Sequence, residues 1–244
     1  MPGGIVFSTL VGAGLGGVST AMGSIAGCML GRFGEKILPV LLSAAAGIIL
    51  ALVVFELFPE SAATGGYTAT TMGLLAGVFA AHRLEGMSRR VTIISFKKGA
   101  DVYLRSGLLL ALGIAVHNFP VGLAMGSGLM NDVKTGTDLA VAMLFHNFPE
   151  GLAMSIPMVL GGMNRIFILS TASAVAVPAG FGAFLGSAFG YIPHVFLAVI
   201  FGTAIGTILY VTCHEIIGPL LKSRKYVLVC CGLILGALAG RLLT

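Results

Sequence analysis

Residues 117–126 read HNFPVGLAMG and residues 146–155 read HNFPEGLAMS, two stretches that begin 29 positions apart and agree at eight of ten places. Each copy supplies an imidazole (His117, His146), a neighbouring carboxamide (Asn118, Asn147) and a proline three residues after the histidine. The second copy adds Glu150, four residues beyond His146 and therefore on the same face of a helix. Imidazole nitrogen, carboxylate and amide oxygen are donors suited to a divalent transition metal. The asparagine oxygens lie about 100° around a helix from the adjacent histidines. Pro120 and Pro149 cannot donate backbone hydrogen bonds, so the carbonyls of Val116 and Phe145 are freed for a ligand or water. Gly122 and Gly151 let a ligand or a neighbouring helix come close. The first copy has Val121 in place of the glutamate. A single intramembrane histidine could simply hold helices together, but a duplicated His-Asn-Phe-Pro with one retained carboxylate points to a binding site.

Such residues need a scaffold, and composition says which kind. Hydrophobic residues make up 57% of the 244 and charged residues 9%, with a mean hydropathy of +1.03. Soluble domains carry roughly 25% charged residues, so the chain is expected to be a polytopic membrane protein. Apolar runs of about 20 residues predict eight transmembrane helices near 4–30, 38–59, 67–82, 104–128, 139–160, 166–188, 194–220 and 226–243. The ten-residue alternation of an outer-membrane barrel is absent. The first run is too long, and lacks the basic start, to read as a cleaved signal. Residues 1–244 are expected to form one all-α bundle, with the polar stretch 83–103 as a short basic linker. Small-residue clusters, GAGLGG at 12–17 and GFGAFLG at 180–186, suit close helix packing in lipid.

Placing the 31–37 loop inside puts Arg32, Lys36, Arg83, Arg89, Arg90, Lys97, Lys98, Arg105, Arg165, Lys222, Arg224 and Lys225 on the cytoplasmic side. Only Lys134 and Arg241 are left outside. The positive-inside rule then predicts both termini to be extracytoplasmic. The basic balance fits membrane lipids as partners, and no aromatic-interleaved basic patch suggests nucleic acid. Cys28, Cys213, Cys230 and Cys231 show no CxxC spacing and are expected to be small buried residues.

Depth brings the two motifs together. With helix four starting at the inner surface near 104, His117 lies about 20 Å up a roughly 30 Å core. Helix five descends from about 139, so His146 lies about 10 Å below the outer surface, at the same level. An inverted repeat about an axis in the membrane plane produces such a meeting. A second repeat supports it: GIILALVVFELFP (47–59) aligns with GTILYVTCHEIIG (206–218) at an offset of 159. This makes helices two and seven partners. It places Glu56 near the outer end of its helix, and His214 and Glu215 near the inner end, as steps on a path. His82 and His194 fall at span ends, where surface placement is expected.

These features resemble the ZIP (Zrt/Irt-like protein) family of divalent-metal transporters. The resemblance rests on the paired HNxPEG-like motifs, the ELxPE-like end of helix two at Gly47–Glu60, the His-Glu pair of helix seven and the eight spans. It implies a metal centre in mid-membrane built from helices four and five, and movement of ions toward the cytoplasm. It also implies His117, Asn118, His146, Asn147 and Glu150 as ligands, with His214 and Glu215 as an inner exit site. The chain departs from the family pattern in two places. Val121 replaces a glutamate that can bridge two metals, and Val177 in AVAVPAG (174–180) stands where a glutamate often precedes proline. One principal metal site is therefore expected, with zinc the first choice of ion and iron, manganese or cadmium as alternatives. The metal is substrate rather than catalytic cofactor. A plasma (inner) membrane location is expected, with a second copy of the chain as a candidate partner. An intramembrane zinc hydrolase could use His117, His146 and His214, but HEIIG at 214–218 lacks the second histidine of HExxH. A non-transporting metal sensor would need a readout domain, for which the chain has little room.

Overall fold

The computed structural model describes residues 2–31, 37–88, 100–222 and 224–243. They form eight helices: α1 (Pro2–Leu30), α2 (Leu38–Leu52, continued to Gly65), α3 (Tyr67–Ser88), α4 (Ala100–Asn131), α5 (Val133–Leu160), α6 (Arg165–Phe189), α7 (His194–Val211, continued to Lys222) and α8 (Tyr226–Leu243). No strand occurs among the described residues. Six of these helices, α1, α2, α4, α5, α6 and α7, are long and apolar enough to cross a membrane. The apolar part of α8, Tyr226–Leu242, is shorter. The third helix runs on to Ser88, into the stretch that composition assigns to a linker. The remainder of that linker, with Arg89, Arg90, Lys97 and Lys98, lies outside the described residues, as do Arg32 and Lys36.

Helix ends are written by short-range chemistry. Asp132 caps α5, accepting from the Lys134 amide at 3.2 Å and the Thr135 hydroxyl at 2.5 Å. The Thr135 hydroxyl leads the contacts that hold the Asp132 carboxyl below its usual range. Asn164 caps α6 through the Phe167 amide at 2.8 Å. Gly66 and Gly190 end α2 and α6 with φ of 93° and 68°, backbone angles that favour glycine.

The helices pack as a set of matched pairs. α4 packs on α6 and α1 on α5; α2 packs on α8 and α3 on α7; α4 with α5, and α1 with α6, complete the middle. Exchanging 1 with 6, 2 with 7, 3 with 8 and 4 with 5 turns this set of pairings into itself. The match extends to single residues. A Cβ at Gly23 would run into the Phe148 carbonyl, and one at Gly182 into the Phe119 carbonyl. Likewise Gly151 meets the Thr20 carbonyl and Gly122 that of Ala179, while Gly77 meets Thr203 and Gly236 meets Ala44. In every case the residues correspond at an offset of 159 in the outer helices or 29 in α4 and α5. These backbone approaches leave no space for a side chain, which is why the sequence repeats glycine there.

The same correspondence appears in a distortion. α2 contains a π-turn at Val53–Leu57 and α7 one at Thr212–Ile217, the segments that align in sequence. Each lies just before a proline, Pro59 or Pro219, whose missing N–H breaks the regular ladder. The Phe58 amide bonds back to the Val53 carbonyl, and the Gly218 amide to that of Cys213. Of the cysteines, only Cys28 is buried; Cys213, Cys230 and Cys231 are exposed free thiols. The expectation of four buried thiols therefore fails, because apolar helices in this bundle present much of their apolar surface outward rather than to a core.

Candidate metal centre

The two motifs meet in the middle of the bundle. His117 and Asn118 on α4, and His146, Asn147 and Glu150 on α5, are all at most 2% exposed. The imidazoles of His117 and His146 lie edge to face with centroids 5.4 Å apart. Glu150 reaches across to the other helix, its Oε1 3.9 Å from His117 Nε2. The Asn118 amide donates to the Val175 carbonyl of α6 at 2.8 Å, which turns its Oδ1 away from that bond. Asn147 lies against α1, where a Cβ at Gly16 would be 3.1 Å from its Nδ2.

What these groups lack is partners. Both ring nitrogens of His117 and of His146, Asn118 Oδ1, both amide atoms of Asn147 and Glu150 Oε2 are buried with no hydrogen-bond partner. The other atom in that condition among the described residues is the Thr212 hydroxyl. Buried polar atoms are nearly always satisfied, because leaving one unpaired costs about 1–3 kcal/mol. Eight orphaned atoms on one pair of motifs fit a site completed by a bound cation. The donors stand somewhat apart: among the described residues only Glu85, His214 and Glu215 bring three ligand atoms within 4.8 Å of one another.

Val121 is 2% exposed and belongs to a buried apolar cluster that includes Met125, Met143 and Ala179. Val177 behaves differently. It is 64% exposed on α6, so its side chain points away from the site. The expectation that it stands in for a missing ligand is corrected by this placement: Val175, Ala176 and Ala179 make the buried face of the kinked segment.

Cavities lie toward both ends of the bundle from this centre. One of about 690 Å³ opens where α4 turns into α5 and is lined in part by Glu60, Asn131, Asp132, Tyr191 and His194. Its wall includes Ala124 and Leu139, seven residues beyond His117 and seven before His146, or about 10 Å along either helix. Glu60 lines this cavity and Glu56 does not; Glu56 is half-buried at the π-turn of α2. At the opposite end a cavity of about 470 Å³ is lined by Arg105, Ser106, Cys213, His214, Glu215, Gly218, Pro219 and Lys222. A water-sized void of about 20 Å³, lined among others by Glu85, Leu112, Val116, Tyr210 and Glu215, shares Glu215 with that cavity.

The second end carries a cluster that the sequence only half reveals. His214 Nδ1 lies 3.3 Å from Glu215 Oε1 and 3.4 Å from Glu85 Oε2. Ser106 donates to Glu215 at 3.1 Å, and Tyr210 donates to Glu85 at 2.5 Å. The Tyr210 ring stacks on His214 with centroids 5.3 Å apart, and its hydroxyl meets His82 Nδ1 at 3.0 Å. His82 and His194 are exposed, as their places at span ends suggest. Glu85 is missed by sequence reasoning because it falls beyond the apolar run of α3. The signal available was the absence of any helix stop between Ala81 and Gly86. His214 belongs to this cluster and not to the His117–His146 pair, so three histidines do not converge as a zinc hydrolase would require.

The family model described as "ZIP Zinc transporter" matches residues 82–240. The chain is also similar to curated proteins called "Zinc transporter ZupT". That of Chlorobium chlorochromatii is 32% identical over 225 residues, covering 82% of this chain and 83% of the relative. That of Chlorobium limicola is 32% identical, covering 91% of each. That of Chlorobaculum parvum is 30% identical, covering 92% of this chain and 91% of the relative.

Proposed function

The chain belongs to the ZIP family, whose members are transporters rather than enzymes, and from that premise we propose that it carries zinc across a membrane through the α4–α5 centre. His117, His146 and Glu150 act as ligands to the passing ion, and Asn118 and Asn147 offer amide oxygens. The observation that carries this reading is the set of eight buried, unpartnered polar atoms on the two repeated motifs. Two imidazoles and one carboxylate strip part of the water from a zinc ion and replace it with donors of matching type. The ion is held on three protein ligands, few enough for it to leave again.

The flanking cavities supply entry and exit, and an inverted repeat supplies the motion. In that scheme α1, α4, α5 and α6, which pack closely on one another, move against α2, α3, α7 and α8 and open the centre to one side at a time. The Glu85–His214–Glu215 cluster lies on the side that the basic residues assign to the cytoplasm, so ions move inward and are taken up there on release. The membrane is the plasma membrane. Zinc is the first substrate, with iron, manganese and cadmium as competitors for the same nitrogen and oxygen donors. Uptake of zinc into proteoliposomes containing the purified chain tests the reading, with competition by the other ions in parallel. His117→Ala, His146→Ala and Glu150→Gln should each abolish uptake. Retained uptake in all three would remove the centre from the path.

A further inference from the structure

The exchange that maps α4 onto α5 carries His117 to His146, Asn118 to Asn147, Pro120 to Pro149 and Gly122 to Gly151. It carries Val121 to Glu150, and within the two ten-residue motifs this is the one place where a charged side chain has a neutral counterpart. Glu150 serves the opposite helix, approaching His117. The reciprocal approach, from position 121 toward His146, is made by no carboxylate. Position 121 is apolar and buried instead, and Val121 belongs to an apolar cluster that includes Met125, Met143 and Ala179.

Charge then limits what the centre can hold. Two divalent cations in one site repel four times as strongly as two unit charges at the same distance. Burial removes the water that would otherwise screen them. Neighbouring cations are tolerated where anionic groups lie between them, and within the two motifs Glu150 is the only acidic residue. Two imidazoles and one carboxylate hold one zinc ion, leaving nothing anionic for a second.

We propose that the centre binds one divalent cation at a time, and that Val121 sets this stoichiometry by leaving the α4 half without an anionic ligand. The inference rests on the assignment of the α4–α5 centre made above, and the experiment separates the two. Zinc bound per chain is measured by equilibrium dialysis and elemental analysis on the purified full chain. The variants are Val121→Glu, Val121→Gln and the double variant His117→Ala/His146→Ala. X-ray absorption at the zinc edge is recorded on the wild type and on Val121→Glu. The double variant should lose one zinc relative to wild type, Val121→Glu should gain one, and Val121→Gln, which adds polarity without charge, should gain none. Wild-type spectra should show nitrogen and oxygen neighbours without a zinc–zinc distance, and Val121→Glu should add one. Loss of two zinc ions in the double variant, or a zinc–zinc distance in wild type, overturns the single-ion inference while leaving the centre in place. A double variant that loses none overturns the centre itself. A second zinc in Val121→Gln, or none in a folded Val121→Glu, removes Val121 from the role. Should Val121→Glu fail to fold, the wild-type spectrum and the double variant still decide.

Discussion

The three-helix segments α1–α3 and α6–α8 are built alike and equipped differently. Many of their glycine contacts correspond, including Gly23 with Gly182 and Gly77 with Gly236, and both carry a π-turn before a proline. Their polar groups correspond only in part, Glu56 matching Glu215 while Phe55 stands where α7 has His214. The α7 π-turn presents His214 and Glu215, which meet Glu85. The α2 π-turn has Phe55 and Glu56 at the same places, and the Arg241 guanidinium lies over the Phe55 ring at 5.1 Å. Packing between helices in lipid depends on shape, so a repeated backbone keeps its small residues wherever two helices touch. Ligand chemistry is free to differ, and the difference makes the two ends of the bundle unequal. A symmetric scaffold with unequal ends suits a carrier that opens to both sides but takes up and releases its ion at chemically distinct places.

The largest effect expected from breaking the comparison is at Glu150, the carboxylate without a counterpart. Glu150→Gln keeps the shape and removes the charge that offsets the bound cation, so zinc affinity and uptake should each fall by about 100-fold or more, the upper end of what even an outer-shell change does. Glu60→Gln, in the wall of the larger cavity, should reduce uptake by no more than about threefold, as expected for a screened charge at an aqueous opening. Radiolabelled zinc uptake and binding isotherms on the two variants make the test. Equal effects would mean that the ion is not held at α5.

Next in size is a test of the scaffold. Gly23→Ala and Gly182→Ala each press a methyl group against a facing carbonyl, Phe148 or Phe119. Each should destabilise the folded chain by about 1–3 kcal/mol, the usual range for overpacking, and the two losses should match. Thermal unfolding in detergent reads both. A tolerated alanine at one position alone would show that the two seams are not equivalent.

A smaller contrast separates the π-turns. Glu215→Gln removes one of the three closely set ligand atoms at the second end, and uptake should drop by about tenfold, the lower end of metal-site losses. Glu56→Gln, at the corresponding place, should leave uptake within about twofold of wild type because Glu56 joins no such cluster. Comparable losses would place a second ion-handling step at α2.

Much of this architecture was legible in the sequence, for physical reasons. Lipid demands continuous apolar helices, so the six membrane-length helices were visible as hydrophobic runs, and the repeat at 29 residues pointed to the five buried polar residues that α4 and α5 bring together. What stayed hidden depended on surroundings rather than on type. Val177 looked like a lost ligand because it precedes Pro178, but the rotation of the α6 helix aims it outward. Glu85 looked like linker because charge ends an apolar run, yet the helix continues and Tyr210 and His214 come to it from α7. Glu56 looked like the path residue of α2, whereas the cavity wall belongs to Glu60 one turn on. Neither the facing of a side chain nor its partners from a distant helix is encoded in local spacing.

The smallest predicted difference lies in how each seam is tied. On the α1–α5 side, Ser19 donates to the Leu144 carbonyl and Ser24 to the Gly151 carbonyl. The corresponding positions on α6 are Pro178 and Ala183, neither of which has a hydroxyl. The α4–α6 seam is tied instead from the other helix, by the Asn118 amide to Val175 and, at the end of α6, by Ser127 and Asn131 to the Gly190 carbonyl. The counterpart bond, from Asn147 to α1, is not made. One seam is therefore fastened at mid-helix by residues outside the metal motifs, and the other by a candidate ligand. Interhelical hydrogen bonds in membranes average about 0.6 kcal/mol, so Ser19→Ala/Ser24→Ala together should lower stability by about 1 kcal/mol and leave zinc affinity unchanged. Asn118→Ala should cost a similar amount of stability and weaken zinc binding as well, because one side chain holds the seam and faces the centre. Parallel unfolding and zinc-binding curves on the two variants separate these outcomes. A serine double variant that loses zinc affinity would show that α1 helps to hold the ion, and the division between scaffold and ligand would fail at that seam.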